Sequence, residues 1–288
     1  MEEERGHQEA GDSSRQLKKI EVREIIRAKS PALAKRLPGF IIRYLERTLR
    51  QREVNQALEL FGHLREVKFV EAILDFMEIE YHSYGTANIP ESGRFLFVSN
   101  HPLGGLDGMV FINEVSKKFA DIKFPVNDIL LNITNLADLF LPINKHGSQA
   151  RHSARAIEEA YASEAQILYF PAGLCSRRKR GVITDLAWHN NFIRKAVSHK
   201  RDIIPVFISG RNSSFFYTLS NLRRKMGIKA NIEMLYLVDE MLRQKGKEIT
   251  ISFGEPTPWS DIDGSRSPSQ WADYIRKRSY DLEKKLPR

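Results

Sequence analysis

The stretch from Phe95 to Phe119 constrains the fold of this chain more than any other. Phe95, Leu96, Phe97 and Val98 form an apolar run that reads as a buried strand. A short loop follows, Ser99-Asn100-His101-Pro102-Leu103-Gly104-Gly105-Leu106, and leads into Asp107. Beyond it Met109, Val110, Ile112, Val115 and Phe119 recur at helical spacing. A strand feeding a tight loop and then a helix is the building unit of α/β sheets, which hold their catalytic groups at such strand ends. This loop carries His101 and Asp107. A histidine beside a carboxylate is a poised general base, because the carboxylate fixes the tautomer and stabilises the imidazolium that forms. The same residues also fit a plainer reading, a loop histidine with an aspartate capping the next helix.

The rest of the chain repeats the alternation. Strands are expected at 78–84, 94–99, 122–126, 166–170, 203–208 and 249–253. Helices are expected at 107–119, 148–163 and 184–198, with an apolar helix or loop at 128–141. Residues 264–269 read as a loop before a final helix. This order predicts an α/β fold, a mostly parallel central sheet flanked by helices. Residues 17–77 read as an N-terminal helical cap, with Ser30-Pro31 and Pro38-Gly39 opening helices. In one of these, Ile41, Tyr44, Leu45 and Leu49 form an apolar stripe and Arg43, Arg47 and Arg50 lie largely on the other side. Such a helix packs on its own domain or lies in a membrane interface. Residues 1–16 are polar and are expected to be a disordered tail.

Charge narrows the partners. The chain has a net charge of +9, and Lys18 to Arg50 holds ten Lys or Arg against three Glu. Arg177-Arg178-Lys179-Arg180 is a second cluster. Basic surfaces suit nucleic acid, anionic lipid or an acidic protein. No helix-turn-helix, zinc-finger or RNP-type signature accompanies the charge, which argues against nucleic acid. The single cysteine, Cys175, rules out a disulfide within the chain and a cysteine-based metal site. No secretory signal and no apolar run of the ~20 residues needed to span a bilayer is visible. A Gly-x-Ser-x-Gly elbow, the mark of many serine hydrolases, does not occur.

Three motifs, in order, resemble those of the glycerolipid acyltransferase superfamily, which includes the 1-acylglycerol-3-phosphate acyltransferases. Asn100-His101 through Asp107 resembles the first. Phe170-Pro171-Ala172-Gly173-Leu174-Cys175-Ser176-Arg177 resembles the third, and Ile204-Pro205-Val206-Phe207-Ile208 the fourth. The resemblance covers roughly residues 80–260. It departs from the common pattern in three ways. Five residues rather than four separate His101 from Asp107, and the added one falls at Gly104-Gly105, where the backbone can bulge and still aim both side chains together. The third motif has Ala172 and Leu174 where the family usually has Glu and Thr. The second motif is reduced to Pro142-Ile143-Asn144-Lys145. These departures are similar to the hemolysin-like branch and to the bacterial enzymes that complete ornithine and glycine lipids. The Glu of motif three helps hold a glycerol phosphate acceptor, so its absence points towards a lyso amino-acid lipid.

The resemblance implies that residues 78–288 are an acyltransferase domain. It would move a fatty acyl chain from a thioester donor, acyl carrier protein or acyl-CoA, to a hydroxyl of a lyso-lipid. The competing acceptor is 1-acylglycerol-3-phosphate; transfer to an amine and a non-catalytic lipid-binding role are further alternatives. His101 would be the general base and Asp107 its orienter. Asn100, Gly104, Gly105, Gly173, Arg177, Lys145 and Arg211 are the candidate substrate-binding residues. Among them, glycine amides would meet the oxyanion and Arg177 would pair with an acceptor carboxylate or phosphate. No metal and no resident cofactor is implied. The expected place is the cytoplasmic side of a membrane, peripherally bound to an anionic surface.

Overall fold

The computed structural model describes residues 19–127, 130–143 and 149–286. Five helices open it: α1 (Val22–Lys29), α2 (Pro31–Arg36), α3 (Gly39–Thr48), α4 (Gln51–Phe61) and α5 (Glu66–Phe76). Then follow β1 (Glu80–Tyr84), β2 (Phe95–Ser99), α6 (Leu106–Ser116), β3 (Ile122–Val126), β4 (Phe140–Pro142), α7 (Gln149–Ala162) and β5 (Gln166–Tyr169). A hairpin of β6 (Arg177–Lys179) and β7 (Val182–Thr184) precedes α8 (Asn191–His199) and β8 (Asp202–Ile208). The chain ends through α9 (Ser214–Lys225), α10 (Leu237–Leu242), β9 (Glu248–Phe253) and α11 (Pro268–Glu283). Seven strands form the main sheet in the order β1-β9-β8-β2-β5-β3-β4. From β8 to β4 every pairing is parallel; β9 runs antiparallel to β8, and β1 pairs parallel with β9. The sheet is therefore mostly parallel, as the alternation predicts.

Strand periodicity divides the core in two. Phe95 and Phe97 of β2, with Leu168, Ile204, Val206 and Ile208, pack with α5 and α6 on one face. Leu96 and Val98, with Ile167 and Ile203, pack with α8 and α11 on the other. Alternate residues point to opposite faces, so a strand apolar throughout is one covered on both sides. Phe69, Val70, Ile73, Leu74 and Met77 join the first cluster. The last helix of the N-terminal segment is thus a layer of the main core. Arg201, fully buried before β8, donates to the carbonyls of Ala160, Tyr161, Ser163 and Ala165. These lie at and just beyond the end of α7, where a cation satisfies both orphan carbonyls and the helix dipole. Ser267 and Gln270 close a capping box at the start of α11.

The structure adds α9 and α10 where no element is expected, and it differs from the expectations at 184–198 and within 128–141. The helix expected at 184–198 begins at Asn191, because the chain first completes the β6–β7 hairpin and runs irregularly past Asp185 and Trp188. Arg180 and Gly181 turn that hairpin with φ of 50° and 84°, a conformation that helical periodicity does not reveal. Within 128–141 the described residues form two 3₁₀ turns and the start of edge strand β4, with no long helix. The expected tail at 1–16, and Asn144 and Lys145, lie outside the described residues.

Candidate active site

Three loops meet at the carboxyl ends of β2, β5 and β8, the edge where open parallel sheets place ligands. Buried side chains stitch them together. Asn100, 3 % exposed, accepts from the amide of Ile208 at 2.7 Å and donates to its carbonyl at 2.8 Å. This double bond joins the loop after β2 to the end of β8. The carbonyl of His101 accepts from the Ser176 amide at 2.7 Å, joining the loops after β2 and β5. Asn212, past β8, donates to the carbonyl of Pro102.

His101 and Asp107 come together on this scaffold. Nδ1 of His101 lies 2.9 Å from Oδ2 of Asp107. The same carboxylate accepts from the amides of Leu103 (2.8 Å), Gly104 (3.3 Å) and Gly108 (3.0 Å). Gly104 takes φ +86°, where a side chain is strained, and an added Cβ would also meet Leu237 at 2.7 Å. The five-residue spacing is absorbed here, and α6 then starts with Asp107 in its first turn. Asp107 is fully buried, and burial pushes its pKa up. The charge and hydrogen bond of His101, with the Leu103 and Gly104 amides, outweigh that and hold the carboxyl below its ordinary range. Burial likewise favours neutral His101, but the Asp107 charge and hydrogen bond prevail and its pKa is raised. An ionised Asp107 only accepts, so Nδ1 donates to it. In the neutral ring Nε2 then carries the lone pair.

The ring is fixed from a second side. Phe170, at the end of β5, stacks on the imidazole with centroids 4.1 Å apart. The His101 backbone amide donates to Oδ1 of Asp185 at 3.2 Å. Asp185 also accepts from Ser176 Oγ (2.6 Å) and, through Oδ2, from Trp188 Nε1 (3.0 Å). Its own amide donates to the Tyr280 hydroxyl of α11. Asp185 is thus a buried carboxylate behind the His101 loop, and a lone acid in an irregular segment gives no sequence signal of that.

The other candidates divide. The amides of Gly104 and Gly173 are engaged, by Asp107 and by the Phe170 carbonyl. The Gly105 amide, at the N-terminus of α6, donates to no group among the described residues. Arg211 is exposed at the C-terminal end of β8, on the edge that holds His101. Arg177 is placed differently from the acceptor clamp that the resemblance implies. It is 4 % exposed, and its guanidinium donates to the carbonyl of Cys175 (2.6 Å) and to Glu233 (3.0 Å). Arg223 reaches the same fully buried Glu233 at 2.8 Å. The hairpin turns Arg177 inward, where it shares the Glu233 carboxylate with Arg223. Burial pushes the Cys175 thiol up to about 11, which makes it an inert packing group. Segment 232–242 lies against the His101 loop: Leu237 packs on Gly104, and Met241 lies nearest Gly105. No group of His, Cys, Asp and Glu among the described residues is arranged to hold a metal ion.

An α/β sheet with a His–Asp pair on the loop after a central strand, and the other two motif loops beside it, is the arrangement the first-motif resemblance implies. Residues 24–287 match the family model described as Acyltransferase. The lyso-glycine lipid O-acyltransferase of Bacteroides thetaiotaomicron is 43 % identical over 264 residues, covering 91 % of this chain and 97 % of the relative. The protein of the same name from Phocaeicola vulgatus is 41 % identical over 264 residues, covering 91 % and 95 %. A solved 1-acyl-sn-glycerophosphate acyltransferase, PlsC from Thermotoga maritima, aligns with a TM-score of 0.48 at 15 % identity, covering 85 % of this chain and 97 % of that one. The chain belongs to the acyltransferase family, and it is an acyltransferase enzyme.

Proposed function

We propose that this chain is an O-acyltransferase that completes a lyso amino-acid lipid, with lyso-glycine lipid as acceptor. The observation that carries the chemistry is the 2.9 Å contact between His101 Nδ1 and Asp107, which leaves Nε2 as a base. The printed activity of the two relatives supports the acceptor. The acceptor hydroxyl attacks the carbonyl carbon of an acyl thioester, supplied by acyl carrier protein or coenzyme A. As the new C–O bond forms, His101 Nε2 takes the hydroxyl proton. The C–S bond then breaks, and the imidazolium returns that proton to the departing thiolate. Asp107 stabilises the imidazolium between the two steps. The Gly105 amide, unengaged at the α6 N-terminus, would stabilise the developing negative charge. Arg211, exposed just past β8, would meet an anionic part of donor or acceptor.

The acceptor is an amphiphile, so the enzyme works at a membrane surface, and its net charge of +9 suits the anionic cytoplasmic leaflet. No helix among the described residues is long and apolar enough to cross a membrane. The test is lipid mass spectrometry of lysates expressing the wild type or His101→Ala, supplied with lyso-acceptors. A diacylated glycine lipid formed only with His101 is expected. Phosphatidic acid from lysophosphatidic acid, without the glycine lipid, would overturn the acceptor assignment. Full activity of His101→Ala would overturn the mechanism.

A further inference from the structure

The outer flank of α9 carries a row of apolar side chains with nothing packed over most of it. Phe216, Tyr217, Ser220 and Arg223 face inward and are buried. Phe215, Leu219, Leu222 and Met226 follow at steps of four, three and four residues, which places them in one row beside the buried face. Phe215 is 53 %, Leu222 52 % and Met226 65 % exposed. The row continues onto another part of the fold. The Phe215 ring meets Tyr236 edge-on at 4.9 Å. The Tyr236 hydroxyl hydrogen-bonds that of Tyr44 on α3. Tyr44 and Phe40, one turn before it, are also exposed. Single exposed apolar residues need no explanation, but a connected row of large ones marks an interaction surface.

The charges beside the row say what covers it. Residues 214–230 contain four Lys or Arg and no Asp or Glu. Arg224, Lys225 and Lys229 are exposed and enter no ion pair among the described residues. Arg43 and Arg47 are exposed on the α3 side. Aromatic and aliphatic side chains flanked by cations suit an anionic bilayer, with rings and chains at the acyl boundary and cations among the headgroups. A second copy would oppose the same cations across a twofold axis. We propose that the α9 row, extended through Tyr236 to Tyr44 and Phe40, is a surface that docks this enzyme on anionic membrane. The proposal rests on the lipid-acceptor reading for its purpose. The surface is tied to the site: Glu240 of α10 accepts from the amide of Ser213 (2.6 Å) and from its hydroxyl (2.5 Å). Ser213 caps α9, while Leu237 and Met241 of the α10 helix lie on Gly104 and Gly105.

The test is flotation of the full chain with phosphatidylcholine vesicles, with or without roughly one-quarter phosphatidylglycerol. The variants are Phe215→Ser/Leu222→Ser/Met226→Ser and Arg224→Glu/Lys225→Glu, each checked for an unchanged thermal melt. The wild type is expected to float with the anionic vesicles. The triple variant should bind at least about tenfold more weakly, and the charge-reversed variant should lose its preference for phosphatidylglycerol. Undiminished binding by the triple variant would overturn the proposal. So would a wild type that ignores vesicles but forms dimers, or binds acyl carrier protein, through the same three residues. Acyl transfer to detergent-dispersed lyso-glycine lipid separates the two readings. There the triple variant should match the wild type. No turnover by the wild type would count against the acceptor, leaving the vesicle result to decide the docking face.

Discussion

The imidazole of His101 lies nearly flat on the ring of Phe170, with centroids 4.1 Å apart and planes 18° apart. Phe170 also touches the core rings of Phe111 and Phe124. The first residue of the third motif is therefore a rigid wall against the histidine of the first. Phe170→Leu removes the flat face and keeps an apolar side chain. Loss of ring orientation should lower kcat by about tenfold to a hundredfold, because small misplacement of a reacting group is costly. The measurement is kcat at saturating acceptor, beside a thermal melt showing that the protein is still folded.

The His101–Asp107 pair makes activity and local stability move oppositely with pH. The proposed base, His101, must be neutral to act, and its pKa is raised above the ordinary imidazole value of about 6.5. kcat/KM should therefore rise with pH along a limb centred above that value. The sign for stability is the reverse. A group whose folded pKa is raised stabilises fully below its unfolded pKa, and that contribution is lost as pH climbs through the folded one. Asp107→Asn removes the charge, so the limb should move to lower pH while kcat falls by roughly a hundredfold or more. A pH–rate profile of both proteins checks this; an unmoved limb would assign it to another group.

Asp185 is expected to hold the His101 loop. Its two oxygens accept from an amide, a hydroxyl and an indole N–H. Asn at this position has one acceptor oxygen, so its NH₂ must face a former donor. Leaving a buried donor unpaired costs about 1–3 kcal/mol. Asp185→Asn should therefore melt earlier and lose about tenfold in kcat. The carboxylate also helps raise the His101 pKa, so the acid limb should shift slightly down. A variant that is destabilised with unchanged kcat and pH profile would make Asp185 purely structural.

How much of this was legible follows from where each signal lies along the chain. The β2 loop and α6 were readable because Phe95–Val98 is apolar throughout and the helical period restarts within a few residues. His101 and Asp107 sit within that one segment, and the glycines between them explain the longer spacing. The β6–β7 hairpin was hidden because four consecutive basic residues resemble a solvated run. Only the fold shows that Arg177 turns inward while Lys179 and Arg180 stay exposed. Asp185, Glu233 and Glu240 lie in irregular or short segments, and each acquires partners from other elements of the fold. α9 was missed because its outer row is apolar as well, which blurs the amphipathic contrast that marks a surface helix.

Glu233 shows what such a distant partner is worth. It is fully buried, and it is the carboxylate on which both Arg177 and Arg223 converge. Glu233→Gln would leave two buried guanidiniums facing a neutral amide. Breaking a buried ion pair by removing one partner costs about 3–5 kcal/mol, since the remaining charge stays desolvated. The variant should unfold at markedly lower urea concentration. Replacing Arg223 with Met as well removes one of the stranded charges, so the double variant should recover about 1–3 kcal/mol relative to additivity. Arg177 would still be unpaired, and the cure should be incomplete. If the two losses simply add in urea melts, the three side chains do not act as a coupled cluster, and the β6–β7 hairpin is held in place by its other contacts, among them Arg178 to Thr218 and Arg276 to Thr184.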